Sequence, residues 1–433
     1  MKKISLILAL VLLASIAIGC ASAPPAPAAA PGAEPAAGSR AGETLRIGVV
    51  VPFGTNSGIV AMEAVNMFFA DIGWEVAGRP VQLFFEDCRG VADVAVQRLT
   101  RLVERENVPL ILGPLAGASG SAAAAFAAAG RMPNTTMIVG SAGSVGITLN
   151  TPPNVFRGNA SGLQSVLALG TYAYEVLGHR RVVTLATDYD FTFAQVAGFA
   201  YGFIHAGGEV VDRLWFSRGD MDFGSVIAMI PPDICAIFMG IAATDSVNFM
   251  RQYGDFGFDI PILSGGNFTD ITVLTTDIGY RYEGVFGANH FAQDLPFPEF
   301  VEFNDKFVER TGRDASQFAA DFYIISRLAV MAIEELDGNI EDQEAFRRIL
   351  SGLQFDTPRG PFRFCPEFNQ AIVNVYITQV KRGDDGVLRN VVIETIPETT
   401  QFGPFCPIWF HEQPLPDRIH PTDEAIRAAV VIN

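Results

Sequence analysis

The sequence predicts an α/β fold of two doubly wound units, each a parallel sheet with helices on both faces. Short apolar runs alternate with amphipathic segments along the chain, beginning with Leu45–Val51. These runs are nearly continuous in apolar residues, which is typical of strands that are covered on both faces. The alternating series starts again after Arg157, so two such units follow each other, joined near Arg157–Ser161.

Each element is predicted from its apolar periodicity. In the first unit the predicted strands are Leu45–Val51, Val81–Glu86, Leu110–Leu112 and Thr136–Val139, and the predicted helices are Gly58–Ile72, Asp93–Glu104 and Ser121–Ala129. In the second unit the predicted strands are Arg180–Ala186, Glu209–Trp215, Ala236–Met239 and Pro261–Leu263, with a helix at Phe193–Ala206. The chain then returns through helices Phe300–Arg310 and Ala319–Leu336 and strands Gly360–Phe364 and Ala371–Val380.

The first 43 residues are predicted to lie outside the fold. Lys2 and Lys3 precede a short apolar run, Ile4–Gly19, which has the layout of a secretory signal over residues 1–19. The run ends in small residues before Cys20 and resembles a lipobox, in which the cysteine is lipidated. An ordinary cleaved signal or an uncleaved anchor are the alternatives. Residues 20–43 are rich in Ala and Pro, which predicts a disordered tether.

Composition restricts the class of protein. The formal net charge of −17 disfavours binding to nucleic acid, because an acidic body repels phosphate. The cysteines beyond Cys20 form no CxxC pair, so the spacing of a zinc site is missing and we expect no metal and no cofactor. Cys365 and Cys406 lie in proline-marked loops and are a possible disulfide in an exported protein.

Two loops rich in Gly and Ser follow predicted strands of the first unit. They are Gly113–Ser121, which leads into the alanine-rich helix, and Gly140–Gly146. Ligands of open parallel sheets bind at the carboxyl ends of strands, where small residues allow close approach and free N–H groups attract anions. Flexible turns with serine caps are the alternative interpretation. Two such loops in successive units favour a binding role.

Catalytic signatures are missing from the sequence. It contains no Gly-x-Ser-x-Gly elbow, no His-Glu-x-x-His, and no Walker or Gly-x-Gly-x-x-Gly motif. No histidine falls in the Gly/Ser loops, so we expect a binding protein and not an enzyme. A cell-surface hydrolase would require Ser141 or Ser144 beside a histidine.

An ordered series of motifs resembles the type I periplasmic solute-binding proteins, specifically the branched-chain amino-acid binding family of ABC importers. The series runs from Leu45 to about Thr395 and comprises Glu86–Cys88, Ile111–Pro114, Met137–Thr148, Val155–Arg157, Asp188–Phe191, Gly284–Phe286 and Gly360–Phe362. The resemblance implies two lobes joined by three crossovers that close around a solute. The implied boundaries are 44–158 plus 290–359 for the first lobe, 159–289 plus 360–398 for the second, and 399–433 for a C-terminal extension.

The resemblance also implies which positions contact the solute. In the family, one loop position offers a serine to the carboxylate of the solute. In this chain the position falls at Gly117, or at Ser119 if the alignment shifts by two residues past Ala118. The remaining contacts fall at Ser141, Gly143 and Ser144 of the second loop, Phe191 as the stacking aromatic, Ala242 at a tyrosine position, and Asn267 near the acidic position.

The neutral residue at Asn267 leaves the solute open, because a buried ammonium ion needs a charged partner. The resemblance implies a receptor that delivers a small polar solute, whether amino acid, amide or carboxylate, to the permease subunits of an ABC importer. We expect a monomer held outside the cell membrane, or in the periplasm, by its lipid anchor. A sensory module that presents the solute to a receptor is the alternative.

Overall fold

A computed structural model describes residues 40–149, 152–241 and 243–432 of the chain. The predicted signal, the predicted lipidation site Cys20 and all but the last residues of the predicted tether lie outside the described residues. The strands are β1 (Leu45–Val51), β2 (Glu75–Val76), β3 (Arg79–Asp87), β4 (Leu110–Leu112), β5 (Thr136–Val139), β6 (Val155–Arg157), β7 (Arg181–Thr187), β8 (Glu209–Phe216), β9 (Ala236–Gly240), β10 (Ile262–Gly265), β11 (Phe286–Asn289), β12 (Gln354–Thr357), β13 (Gly360–Cys365), β14 (Gln370–Arg382) and β15 (Leu388–Thr399).

The described helices are α1 (Asn56–Asp71), α2 (Ala92–Thr100), α3 (Gly117–Ala128), α4 (Gly146–Leu149), α5 (Leu167–Glu175), α6 (Asp190–His205), α7 (Gly224–Ile227), α8 (Ala243–Asp255), α9 (Ile271–Leu274), α10 (Pro298–Thr311), α11 (Gln317–Glu334), α12 (Gln343–Gly352), α13 (Pro407–His411) and α14 (Asp423–Arg427). Six of the described helices, α1, α2, α3, α6, α10 and α11, lie close to predicted positions, and the others were not predicted individually. Single turns of π-helix and 3-10 helix occupy Arg101–Arg105 and Gly279–Tyr282. Among these described helices, none has the length and apolar character needed to span a membrane.

The sheet order confirms the predicted fold class. Strands follow each other as β2-β3-β1-β4-β5-β6-β14-β11-β10-β9-β7-β8. Parallel pairing runs from β3 through β1, β4 and β5 to β6, and again from β8 through β7, β9 and β10 to β11. We call the part around β1–β6 the first lobe and the part around β7–β11 the second lobe. In each lobe the strand order reverses beside the first strand, and such switch points are where open sheets bind ligands.

Strand β14 joins the two lobes. Its first residue, Gln370, pairs with Arg157 of β6, and its later residues pair with β11 and β15. Phe362 and Phe364 of β13 are buried in the same core as β1, α1 and α11. Strand β13 therefore packs with the strands and helices of the first lobe.

Local sequence explains where the helices of the first lobe begin. The hydroxyl of Thr55 accepts a hydrogen bond from the Gly58 N–H at 3.0 Å and caps α1. Ser316 caps α11 in the same way, through the Ala319 N–H. Both helices then bury their apolar faces on one side of the sheet, while α2 and α3 cover the other side. Capping fixes the start of each helix, and burial of apolar area stabilises it.

The C-terminal extension packs on the second lobe. Phe402, Phe405, Phe410 and Ile426 are buried in the core that contains helices α5 and α6. Arg213 of β8 donates to the carbonyl oxygens of Ile419 and Pro421 and pairs with Asp423 at 2.9 Å. The residues from about 400 onward are therefore part of the folded body.

Cys365 and Cys406 are both free thiols, so the structure lacks the possible disulfide between them. Cys365 ends strand β13 and pairs with Gln370 across the hairpin. Cys406 is the N-cap residue of α13, and its N–H donates to the Val430 carbonyl oxygen at 2.7 Å. A disulfide needs a narrow range of Cα separation and direction, which closeness in sequence does not supply.

Candidate ligand-binding site

A cavity of about 300 Å³ lies where the carboxyl ends of strands from both lobes meet. Its first-lobe wall follows β1, β4 and β5, and its second-lobe wall follows β7, β8, β9 and β10. The lining residues are Thr55, Asn56, Ser57, Leu115, Ala116, Gly117, Ser141, Gly143, Tyr189, Phe191, Arg218, Ala243, Val247, Asn267, Thr272, Val273, Thr276 and Phe318. A small solute enclosed here would contact both lobes.

Two glycines of the first-lobe wall allow the lobes to approach each other. A Cβ atom at Gly117 would lie 2.8 Å from Ser144 Oγ and 3.1 Å from Phe191 Cβ. At Gly143 it would lie 2.7 Å from the Phe191 ring. The Gly143 carbonyl oxygen also accepts a hydrogen bond from the Gly162 N–H at 2.7 Å. The small residues of the two loops therefore serve close contact between backbone and aromatic ring.

Asp190 links the lobes from beside the cavity. Its carboxylate accepts hydrogen bonds from the hydroxyls of Ser121 at 2.8 Å and Ser144 at 2.9 Å. Ser121 and Ser144 belong to the two Gly/Ser loops of the first lobe, whereas Asp190 begins α6 of the second. Ser144 therefore binds the opposite lobe, although the family resemblance implies that it contacts the solute.

The aromatic wall and the cation of the cavity come from the second lobe. Tyr189 and Phe191 lie with ring centroids 6.1 Å apart. The Arg218 guanidinium lies 5.2 Å from the centroid of the Tyr189 ring. Burial raises the pKa of Tyr189, only partly opposed by Arg218, so the phenol is neutral and can donate a hydrogen bond. The wall combines apolar surface with one fixed positive charge.

The carboxylates around the cavity already have partners. Asp188 forms an ion pair with Arg418 of the C-terminal extension. Asp321 pairs with the buried Arg359 and accepts a hydrogen bond from the Ser141 hydroxyl at 2.8 Å. Asp270 caps α9 through the Thr272 N–H at 3.0 Å, and burial raises its pKa to about 6. Among the lining residues that the structure describes, Arg218 carries the only formal charge.

The structure brings together five of the positions expected from the sequence, namely Gly117, Ser141, Gly143, Phe191 and Asn267. Ser119 is fully buried in α3 and does not line the cavity. It lies against Cys88. Burial raises the pKa of the Cys88 thiol, and the hydrogen bond with the Ser119 hydroxyl offsets only part of that rise. Ala118 is partly exposed on the same helix and is also outside the lining, and Ala242 lies outside the described residues.

Sequence reasoning missed Arg218 and the residues Thr55–Ser57 as parts of the site. Both follow the carboxyl ends of strands, β8 and β1, so the rule that predicted the Gly/Ser loops also applies to them. Thr55–Ser57 lies between Gly54 and Gly58, a signal that could have identified this segment. In contrast, Arg218 stands beside a single glycine, Gly219.

Comparison with known proteins agrees with this architecture. Residues 44–386 match the periplasmic binding protein family. The Leu/Ile/Val-binding protein homolog 6 of Brucella suis is 24% identical over 378 residues, which cover 83% of this chain and 93% of that protein.

Solved structures extend the likeness. An ABC transporter substrate-binding protein from Sphaerobacter thermophilus is 30% identical and has a TM-score of 0.77, with 83% of this chain and 99% of that chain covered. A solute-binding protein of an ABC transporter from Rhodopseudomonas palustris, solved with 3,4-dihydroxybenzoic acid, is 24% identical and has a TM-score of 0.77. The match covers 83% of this chain and 98% of that chain. The chain therefore belongs to the periplasmic binding protein family, which includes the solute-binding proteins of ABC transporters.

Proposed function

We propose that this solute-binding protein delivers a small organic carboxylate with an apolar body, without an α-ammonium group, to its ABC importer. The observation that carries the proposal is that Arg218 is the one charged residue among the described residues that line the cavity. A guanidinium group binds a carboxylate through charge-assisted hydrogen bonds. The apolar body would contact Phe191, Phe318 and Val247, which line the same cavity.

An amino acid fits the cavity less well. Its ammonium group would need an acidic partner, and the lining of the described cavity offers Asn267 where the resemblance leads us to expect an acid. Asp188, Asp190 and Asp321 are each bonded to protein groups. The Rhodopseudomonas palustris relative was solved with an aromatic carboxylic acid, which supports the carboxylate class.

Arg218→Gln is expected to weaken carboxylate binding by about tenfold to a hundredfold, the usual worth of hydrogen bonds to a charged group. Isothermal titration calorimetry with benzoate, 4-hydroxybenzoate and leucine on the wild type and the variant measures this. Arg251→Gln is the control, because Arg251 forms an exposed ion pair with Asp277 away from the cavity. Tight binding of leucine together with no binding of benzoate or 4-hydroxybenzoate would contradict the proposal.

We also infer that the protein is exported and anchored by lipid at Cys20. Family membership implies export, and the lysines, apolar run and small residues before Cys20 support lipidation. Cys20→Ser is expected to move the protein from the detergent phase to the aqueous phase in detergent partitioning of whole cells. Retention of the variant in the detergent phase would mean that an uncleaved apolar segment, and not a lipid, holds the protein.

We propose further that the two lobes move about β14 and the other crossovers, and that one chain is the working unit. The support is that a single chain supplies both walls of the described cavity. Analytical ultracentrifugation would give the mass of a monomer with and without benzoate.

A further inference from the structure

A second, smaller pocket lies beside the main cavity, near the crossovers between the lobes. Its volume is about 20 Å³, and it shares Ser141, Phe191 and Asn267 with the main cavity. The rest of its lining is mostly polar: Asn159, Ala160, Ser161, Gly162, Ser165, Gln195, Gly266, Asn289, His290, Gln317 and Asp321. Because the two spaces share walls, one solute could occupy the main cavity and extend one group into the small pocket.

Three side chains of this pocket hold buried polar atoms that have no partner among the described residues. The atoms are Asn159 Oδ1, Gln195 Oε1 and His290 Nδ1. Their residues are 1%, 2% and 5% exposed. A buried polar atom without a hydrogen bond costs about 1–3 kcal/mol, so such atoms are rare unless a ligand or water satisfies them.

The Asn159 Oδ1 and Gln195 Oε1 atoms are amide oxygens, which only accept hydrogen bonds, and the contact of His290 Nε2 with Asp321 leaves Nδ1 as an acceptor in the neutral ring. The Asn159 Nδ2 group donates to the Ala160 carbonyl oxygen at 2.7 Å, which leaves Oδ1 free. The His290 Nε2 atom lies 3.0 Å from the Asp321 carboxylate, which places a proton on Nε2. In the neutral ring Nδ1 then accepts a hydrogen bond. The group that fits the pocket is a hydrogen-bond donor.

The charge and the volume of the pocket restrict which donor group can bind there. The carboxylate of Asp321 is paired with Arg359, so the pocket offers no free negative charge to an ammonium ion. The volume of about 20 Å³ accommodates one small polar group, on the scale of a single water molecule. A hydroxyl group satisfies both conditions.

We propose that this pocket binds a hydroxyl group of the solute, so that the protein selects hydroxylated carboxylates over their unhydroxylated analogues. The inference rests on the proposed function, in which Arg218 binds the carboxylate. It adds Asn159, Gln195 and His290 as the residues that recognise the other end of the solute. The transported class is then a hydroxy acid with a flat or compact apolar body.

Calorimetric titration of the wild type with benzoate, 4-hydroxybenzoate and 3,4-dihydroxybenzoate tests the inference. We expect at least one hydroxylated acid to bind about tenfold or more tightly than benzoate, because its hydroxyl satisfies buried acceptors. Gln195→Met is expected to reduce this preference to less than about threefold, because it removes one of the buried acceptors that the solute hydroxyl would satisfy. Gln379→Met, on β14 outside the pocket, is the control and should keep the full preference.

The outcomes separate this inference from the proposed function. Equal affinity for all three acids in the wild type would mean that water fills the pocket, and would overturn the inference while carboxylate binding stands. No binding of any of the three acids would contradict both proposals. The comparison among acids uses the wild type alone, so it decides the matter even if circular dichroism shows that Gln195→Met does not fold.

Discussion

Phe405→Ala is expected to lower the free energy of unfolding by about 3–5 kcal/mol, as for other buried phenylalanines that are truncated. Phe405 is 1% exposed and packs in the core of the second lobe. Its ring centroid lies 5.3 Å from those of Tyr201 and His205 on α6. Truncation would leave a cavity between the C-terminal extension and α6. Urea denaturation followed by circular dichroism measures the change.

Ile408→Ala is the matched control, because Ile408 lies in the same extension but is 73% exposed. Its removal should change stability by less than about 0.5 kcal/mol, as for most surface substitutions. A loss below about 1 kcal/mol for Phe405→Ala would mean that the extension folds independently of the lobe. The result matters because Phe405 lies beyond residue 386, where the match to the family ends.

Removal of the Asp321 carboxylate is expected to have a comparable effect. Asp321→Ala should lower the free energy of unfolding by about 3–5 kcal/mol, since it leaves a buried cation uncompensated. Arg359 is fully buried, and burial lowers its pKa while Asp321 partly offsets that shift. Ser141 and His290 also lose their partner at 2.8 Å and 3.0 Å. Thermal and urea denaturation measure the loss.

Glu302→Gln provides the comparison for an exposed ion pair. Glu302 pairs with Lys306 one turn away on α10, and its side chain is 71% exposed. Such pairs are worth less than about 1 kcal/mol, so little change is expected. If Asp321→Ala were as mild as Glu302→Gln, the buried pair between the crossovers would not be the stabilising contact that its geometry indicates.

Most strands of the two lobes were predictable, namely β1, β3, β4, β5, β7, β8, β9 and β10, because their apolar runs need no information from elsewhere in the chain, whereas β2, β6 and β11 were not predicted. Strands β1, β4 and β5 begin and end where the sequence predicts. Strand β15 was not predicted, since its residues are partly exposed and include Glu394 and Glu398. It forms only because β14 supplies hydrogen bonds along most of its length. Pairing with a distant strand leaves no local pattern.

The candidate site was predictable only where composition marks it. The loops around Gly117 and Gly143 are rich in small residues, so their role in close approach could be expected. Arg218 stands in an ordinary segment after β8, and only the fold places its charge at the cavity. The hydrogen-bond partners of Ser144 and Asp188 lie 46 and 230 residues away along the chain. The sequence therefore could not predict that these two side chains are already bonded.

The sequence by itself determined the fold class, the order of the strands along the chain and two of the loops that form the cavity, because apolar periodicity and glycine content are local properties. The tertiary structure alone decided which hydroxyls remain available, which acids are neutralised and where Arg218, the cation among the described lining residues, stands. Those properties depend on distances between residues far apart in the chain. The same reason explains why Cys365 and Cys406 are free thiols, and why the C-terminal extension belongs to the folded second lobe.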